Sequence, residues 1–173
     1  MLDLNRLIGL IYHSSSPVVF KAIKDGLAEV TVSFDDDDVV VVQGDYCQGA
    51  GEATAYVANS LRLVNEADFA NMTKAVVKAI GEAEINSPKV VFIISDCLSD
   101  EMDHTFDKMQ RLNQVYDYES ALYFLQINKH STCRHTKSQC IVVDDVEAMV
   151  EEVQQILEEL DGSGVTEEPE TDE

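Results

Sequence analysis

The chain predicts a single three-layer α/β domain with a central, mainly parallel sheet and helices on both faces. Short continuous apolar runs such as Val90 to Ile94 read as strands buried on both faces. They alternate with stretches whose apolar residues recur at spacings of three and four, the period of a helix packed on a core. The 173 residues allow one domain with a substantial core and are too few for two ordinary ones.

Leu7 to Tyr12 reads as the first strand, and Ser14-Ser15-Ser16-Pro17 supplies a helix cap followed by a proline tolerated in the first turn. The helix that follows should bury Val19, Ile23, Leu27 and Val30, with Gly26 weakening its last turns. Asp35 to Asp38 form a charge block that self-repulsion should hold in solvent, and Val39 to Val42 form a central strand. Gln43 to Gly51 contains Gly44, Gly49 and Gly51 and should turn sharply, while Ala53 to Leu63 fits either a strand or a helix.

Asn65 caps a helix that buries Phe69, Met72, Val76 and Ile80 and ends at Gly81. After the turn at Asn86-Ser87-Pro88, the Val90 strand ends in Ser95-Asp96. A helix from Glu101 to Tyr116, strands at Ala121 to Ile127 and Cys140 to Val143, and a helix capped by Asp144 or Asp145 complete the domain at residue 160. Residues 161–173 carry Gly162, Gly164, Pro169 and several acids without a base, the composition of a disordered tail.

Acidic residues number 33 against 12 basic ones, a formal charge of -21. Like-charge work then disfavours nucleic acid, anionic membranes and anionic substrates, and favours a protein partner with a basic patch. Solubility or adaptation to high salt would also produce this balance. The four cysteines, at 47, 97, 133 and 140, do not form the dense framework of a small secreted domain, so a reducing cytoplasm is expected. Neither a basic leader with an apolar core nor an apolar run of roughly 20 residues is present to suggest a membrane role.

A carboxylate at the C-terminal end of a buried parallel strand stands where open α/β sheets bind ligands, which directs attention to Asp96. With Ser14 and Ser16 after the first strand and Asp96 after the Val90 strand, the chain resembles a von Willebrand factor A type domain, a Rossmann-like three-layer fold, over residues 5 to 160. In that family an Asp-x-Ser-x-Ser motif, a threonine from a later loop and a second aspartate hold a metal ion. Ser14 and Ser16 match the two serines and Asp96 the second aspartate, but Tyr12 stands at the first aspartate's position. Neither Thr54 nor Thr73 matches the threonine securely. The resemblance therefore implies a degenerate metal-ion-dependent adhesion site. Without its first carboxylate, a Mg2+ or Ca2+ site at Ser14, Ser16 and Asp96 is weakened in both charge and denticity. The resemblance further implies a binding module working in a larger complex or beside an AAA-type ATPase.

Other constellations carry less. His130, Cys133, His135 and Cys140 could complete a tetrahedral Zn2+ shell, but their spacings lack a paired C-x2-C knuckle. Cys97 with His104, or His13 with one of the serines, could form a nucleophile and base, although no strained glycine-flanked elbow surrounds the serines. The Gly44 to Gly51 segment lacks the lysine of a phosphate loop. Asp103 and Asp107 form a like-charge pair on the helix that follows Asp96.

The leading expectation is a non-enzymatic recognition module without a cofactor, contacting a protein through Ser14, Ser15, Ser16, Asp45, Asp96, Ser99, Asp100 and Glu101. The alternatives are an acidic nucleic-acid mimic that inhibits a DNA-binding protein, and a small metal-binding protein or hydrolase.

Overall fold

The computed structural model describes residues 6–14, 16–61, 66–82, 89–95, 121–127 and 139–165. They form a mixed α/β fold in which a six-stranded sheet is flanked by helices on both faces. The strands are β1 (Leu7–His13), β2 (Val39–Val42), β3 (Asp45–Gln48), β4 (Lys89–Ser95), β5 (Ala121–Ile127) and β6 (Gln139–Val143). The helices are α1 (Pro17–Thr31), α2 (Gly49–Asn59), α3 (Glu66–Glu82) and α4 (Val146–Val165).

The sheet order is β3-β2-β1-β4-β5-β6, and every neighbouring pair is parallel except β2 with β3. Strand order reverses between β1 and β4, the point at which open α/β sheets place ligands, outside the carboxyl ends of the strands.

Alternation along the strands divides the core between two faces. Ile8, Leu10 and Tyr12 of β1, Val90, Phe92 and Ile94 of β4, and Leu125 and Ile127 of β5 point one way. There they join Phe20, Ile23, Leu27 and Val30 of α1, Ala53 and Val57 of α2, and Met149, Val153 and Leu157 of α4. Gly26 lets α1 and α4 approach closely, because a Cβ there would lie 2.7 Å from Val150 Cγ2. This glycine admits a neighbouring helix; it does not merely weaken its own. On the opposite face α3 lies close over β1, where a Cβ on Gly9 would meet Ile80 Cδ1 at 2.8 Å.

Three local expectations need correction. The Asp35 to Asp38 block is not uniformly solvated: Asp35, Asp36 and Asp37 are exposed, whereas Asp38 is fully buried. Its carboxylate grips Arg6 in two places, Nε to Oδ1 at 3.2 Å and Nη2 to Oδ2 at 2.6 Å, and also accepts from the Asp35 N–H at 2.9 Å. A buried carboxylate requires such a matched fork and added donors, and repulsion along the sequence does not outweigh them.

Secondly, the glycine-rich segment is largely regular. Gln43 and Gly44 alone make the turn, with φ of 51° and 94°, the positive pair that a two-residue type I′ hairpin requires. Asp45 to Gln48 then pair back on β2, and Ala53 to Asn59 belong to α2. Thirdly, α4 continues through Gly162 and Gly164 to Val165, past the boundary expected at Leu160. Extending an existing helix adds one hydrogen bond per residue fixed, and no proline intervenes before Pro169. The expected helix at Glu101 to Tyr116 lies outside the described residues.

Candidate functional site at the C-terminal edge of the sheet

The register fixes which chain exits lie together. His13, the last residue of β1, is level with Ser95, the last residue of β4, and Ser95 is level with Gln126 of β5. Parallel neighbours at the same level direct side chains to the same face about 4.8 Å apart. His13, Ser95 and Gln126 therefore form a lateral row of buried polar residues on the α3 side. The His13 ring stacks on Phe69 of α3, with centroids 5.0 Å apart. In the sequence alone His13 suggests only a base for the serines. The signal for the row was available, because each of these polar residues closes, or nearly closes, an apolar strand.

After His13 the chain turns directly into α1. Ser14 is fully buried; its Oγ donates to the Ser16 carbonyl oxygen at 3.1 Å and accepts from the Ser16 N–H at 3.0 Å. Ser16 is half-buried and caps α1, its Oγ accepting from the Val19 N–H at 3.3 Å, with Pro17 at the first helical position. The next side chain outward is Val18, 78% exposed.

Beside this turn the β2–β3 hairpin is locked to β1 by a side chain that imitates a strand. The Gln43 N–H makes the last backbone bond to β1, to the Leu10 carbonyl oxygen at 2.9 Å, and its side chain continues the pattern: Nε2 donates to the Tyr12 carbonyl oxygen at 3.0 Å and Oε1 accepts from the Tyr12 N–H at 3.0 Å. Both backbone groups of Tyr12 are thereby satisfied where β2 can no longer reach them. The Tyr12 ring lies on the opposite face from His13, and its hydroxyl is 2.7 Å from Ser60 Oγ at the end of α2. Burial pushes the Tyr12 pKa up to about 12, so the phenol stays neutral over the physiological range.

The hairpin turn, the C-terminal end of α2 and α3 enclose a cleft of about 300 Å³. Its walls include Val42, Tyr56, Leu61 and Met72, and the exposed Asp45 is among its lining residues. Leu61 is 82% exposed and Tyr56 45%. Met72, expected in the core, is only half-buried because it forms part of this wall.

Among the residues expected at the recognition rim, Ser14, Ser16 and Asp45 are described and lie at this edge. Ser15, Asp96, Ser99, Asp100 and Glu101 are outside the described residues. For the metal set suggested by the family resemblance, the described members offer two hydroxyls already bonded to backbone, and a neutral phenol directed at Ser60 in place of the first carboxylate. A divalent cation there would depend on Asp96 for its charge. Of the zinc set, Cys140 lies in β6 level with Phe124, and His130, Cys133 and His135 are outside the described residues. Cys97, His104, Asp103 and Asp107 are likewise outside them. Among the described residues no group of three or more His, Cys, Asp or Glu side chains is placed to hold a metal ion. Gln43, Tyr56 and Leu61 give no signal in the sequence as site residues, because none carries a motif.

Neither a scan of the chain against protein-family models nor a comparison with curated proteins finds a match.

Proposed function

We propose that this protein is a non-enzymatic protein-recognition module, a subunit or adaptor of a larger complex, that engages its partner through the C-terminal edge of the sheet. The observation that carries the proposal is the pairing of His13 with Ser95, which sets the exits of β1 and β4 side by side at the point of strand-order reversal. The Gln43-Gly44 turn and the cleft at Leu61 adjoin those exits, giving a continuous edge with exposed apolar groups on a rigid frame. Such groups are what a partner can desolvate with gain.

The finer fold reading belongs to this proposal. It takes the domain as a von Willebrand factor A type fold with a degenerate adhesion site, in which Ser14 and Ser16 order the first turn through backbone hydrogen bonds and Asp96 follows β4. An AAA-type ATPase is the partner class that this resemblance implies. A cytoplasmic setting belongs to this proposal and rests on the sparse, widely spaced cysteines of the sequence. Among the described residues no helix is long and apolar enough to cross a membrane.

A second reading, the acidic nucleic-acid mimic, draws on the groove between α1 and α4. Asp25, Glu29, Glu147 and Glu151 line that groove on either side of Gly26.

Photo-crosslinking from single positions tests the proposal. A crosslinking amino acid at Val18 or Leu61 should label one polypeptide in the native cell, and the same group at Asp37, on the opposite edge, should not. Labelling from Asp37 alone would refute the edge reading. Labelling from Gln154 that DNA displaces would establish the mimic instead.

A further inference from the structure

The recognition reading can be taken to the chemistry of one contact, because most polar groups around the Leu61 cleft are already committed. The Gln43 amide is held at both ends by the Tyr12 backbone. Ser60 Oγ donates to the Val57 carbonyl oxygen at 2.8 Å and meets the Tyr12 hydroxyl, while the Ser60 carbonyl oxygen accepts from Lys24 Nζ at 2.9 Å. Asn59 turns its amide nitrogen to the Ala55 carbonyl oxygen at 2.9 Å, which leaves its own carbonyl oxygen as an acceptor.

What the cleft offers a visitor is therefore the apolar surface of Val42, Tyr56, Leu61 and Met72, the Tyr56 hydroxyl, and acceptors dominated by the exposed Asp45 carboxylate. Among the described residues Asp45 has no hydrogen-bond or ion-pair partner for its side chain, and it is the only charged residue of the cleft wall. Apolar walls ending in an anion match a long aliphatic stem that ends in a cation. Tyr56 adds a ring face that a cation can use.

We propose that the cleft receives a single lysine or arginine side chain from a segment of a basic protein partner. The stem packs on Leu61 and Met72, and the head group meets Asp45 beside Tyr56. The net charge of -21 draws such a partner toward the molecule, and the cleft supplies the register. This inference rests on the proposed recognition function and names the group recognised.

The test is an NMR titration of the full chain with three short peptides identical except for a central lysine, arginine or norleucine. Lysine and arginine peptides should produce saturable shifts at Asp45, Leu61 and the Met72 methyl. Norleucine, which keeps the stem and lacks the charge, should bind about 3- to 5-fold more weakly, as should the lysine peptide to Asp45→Asn, the change expected for one partly exposed ion pair. Leu61→Ser should weaken the lysine peptide about 3-fold with an unchanged spectrum elsewhere. n-Butylamine, a stem and head without a peptide backbone, should bind about 10-fold more weakly than the lysine peptide.

Equal binding of the norleucine peptide, or no effect of Asp45→Asn, would overturn the proposal. Shifts confined to the α1–α4 groove would overturn it as well, and equal binding of butylamine would assign the cleft to a free amine. The free peptides report on the cleft alone, so a failure of the titration refutes the lysine or arginine contact, while crosslinking from Val18 tests the edge independently.

Discussion

At the edge where the parallel strands begin, Arg6 and Asp38 bury a full ionic pair, with the Arg6 guanidinium also lying 5.4 Å from the centre of the Phe34 ring. At the edge where the strands end, order is kept mainly by neutral groups, Gln43 on the Tyr12 backbone, Tyr12 on Ser60 and Ser14 on Ser16, with the half-buried Lys24 donating to the Ser60 carbonyl oxygen and no buried ion pair there among the described residues. Buried charges tolerate no rearrangement, because separating them strands a charge in the interior. Neutral hydrogen bonds fix backbone positions without consuming the surface, and Val18, Leu61 and Asp45 remain exposed above them. One edge locks the fold, while the other holds a frame open for contact.

The sharpest way to break this contrast is at Asp38. Asp38→Ala should lower unfolding free energy by about 3–5 kcal/mol, because it leaves the Arg6 charge buried alone. Urea denaturation measures this, and combining Asp38→Leu with Arg6→Met should recover most of the loss. A loss below about 1 kcal/mol would mean that the pair is no lock.

The next effect belongs to the opposite edge and appears in alkali. Burial raises the Tyr12 pKa from 10.0 to about 12, and burial with nearby Glu52 and Asp45 raises that of Cys47 from 9.0 to about 11. A raised folded-state pKa gives stability that is fully present below the unfolded value and lost as pH climbs through the folded one. Tyr12 alone should therefore remove about 2–3 kcal/mol between about pH 10 and pH 12, with Cys47 adding to the loss from about pH 9. Denaturation curves across that range should flatten in Tyr12→Phe.

Gln43→Ala should cost about 1–2 kcal/mol by leaving the Tyr12 N–H and carbonyl without partners. Amide hydrogen exchange should locate the loosening at Tyr12 and the hairpin turn and leave Arg6 to Ile8 protected. The smallest stability effect is expected where the contact is proposed: Leu61→Ser should change unfolding free energy by less than about 0.5 kcal/mol. A large loss there would identify Leu61 as structural.

Much of the fold was legible because buried parallel strands declare themselves as short apolar runs. Ala121 to Ile127 appears as a strand with the expected bounds, and Asp145 caps the final helix, its Oδ1 accepting from the Ala148 N–H at 2.9 Å. What escaped depended on partners distant in sequence. Asp38 reads as one of four solvated acids until Arg6, 32 positions away, is set beside it. β3 carries little apolar signal because it is an edge strand of mostly exposed residues, although a residue-glycine pair directly after Val42 is the mark of a hairpin. At the site, the serine turn and the end of the Val90 strand could be assigned to one edge from strand order. The cleft could not, because Tyr56, Leu61 and Met72 are ordinary helix and loop residues until α2 and α3 stand on either side of the turn.

The most direct measurement compares matched pairs of substitutions at the two edges, using the polypeptide labelled from Val18. Asp45→Asn with Leu61→Ser and Asp37→Asn with Val32→Ser remove the same charge and similar exposed apolar surface, one pair at each end of the strands. The account predicts that the first pair weakens binding of that partner at least about 10-fold, a loss of about 1.4 kcal/mol, while the second changes it less than about 2-fold. Equal weakening by both pairs would show that net charge alone drives association, and would contradict a recognition surface at the C-terminal edge.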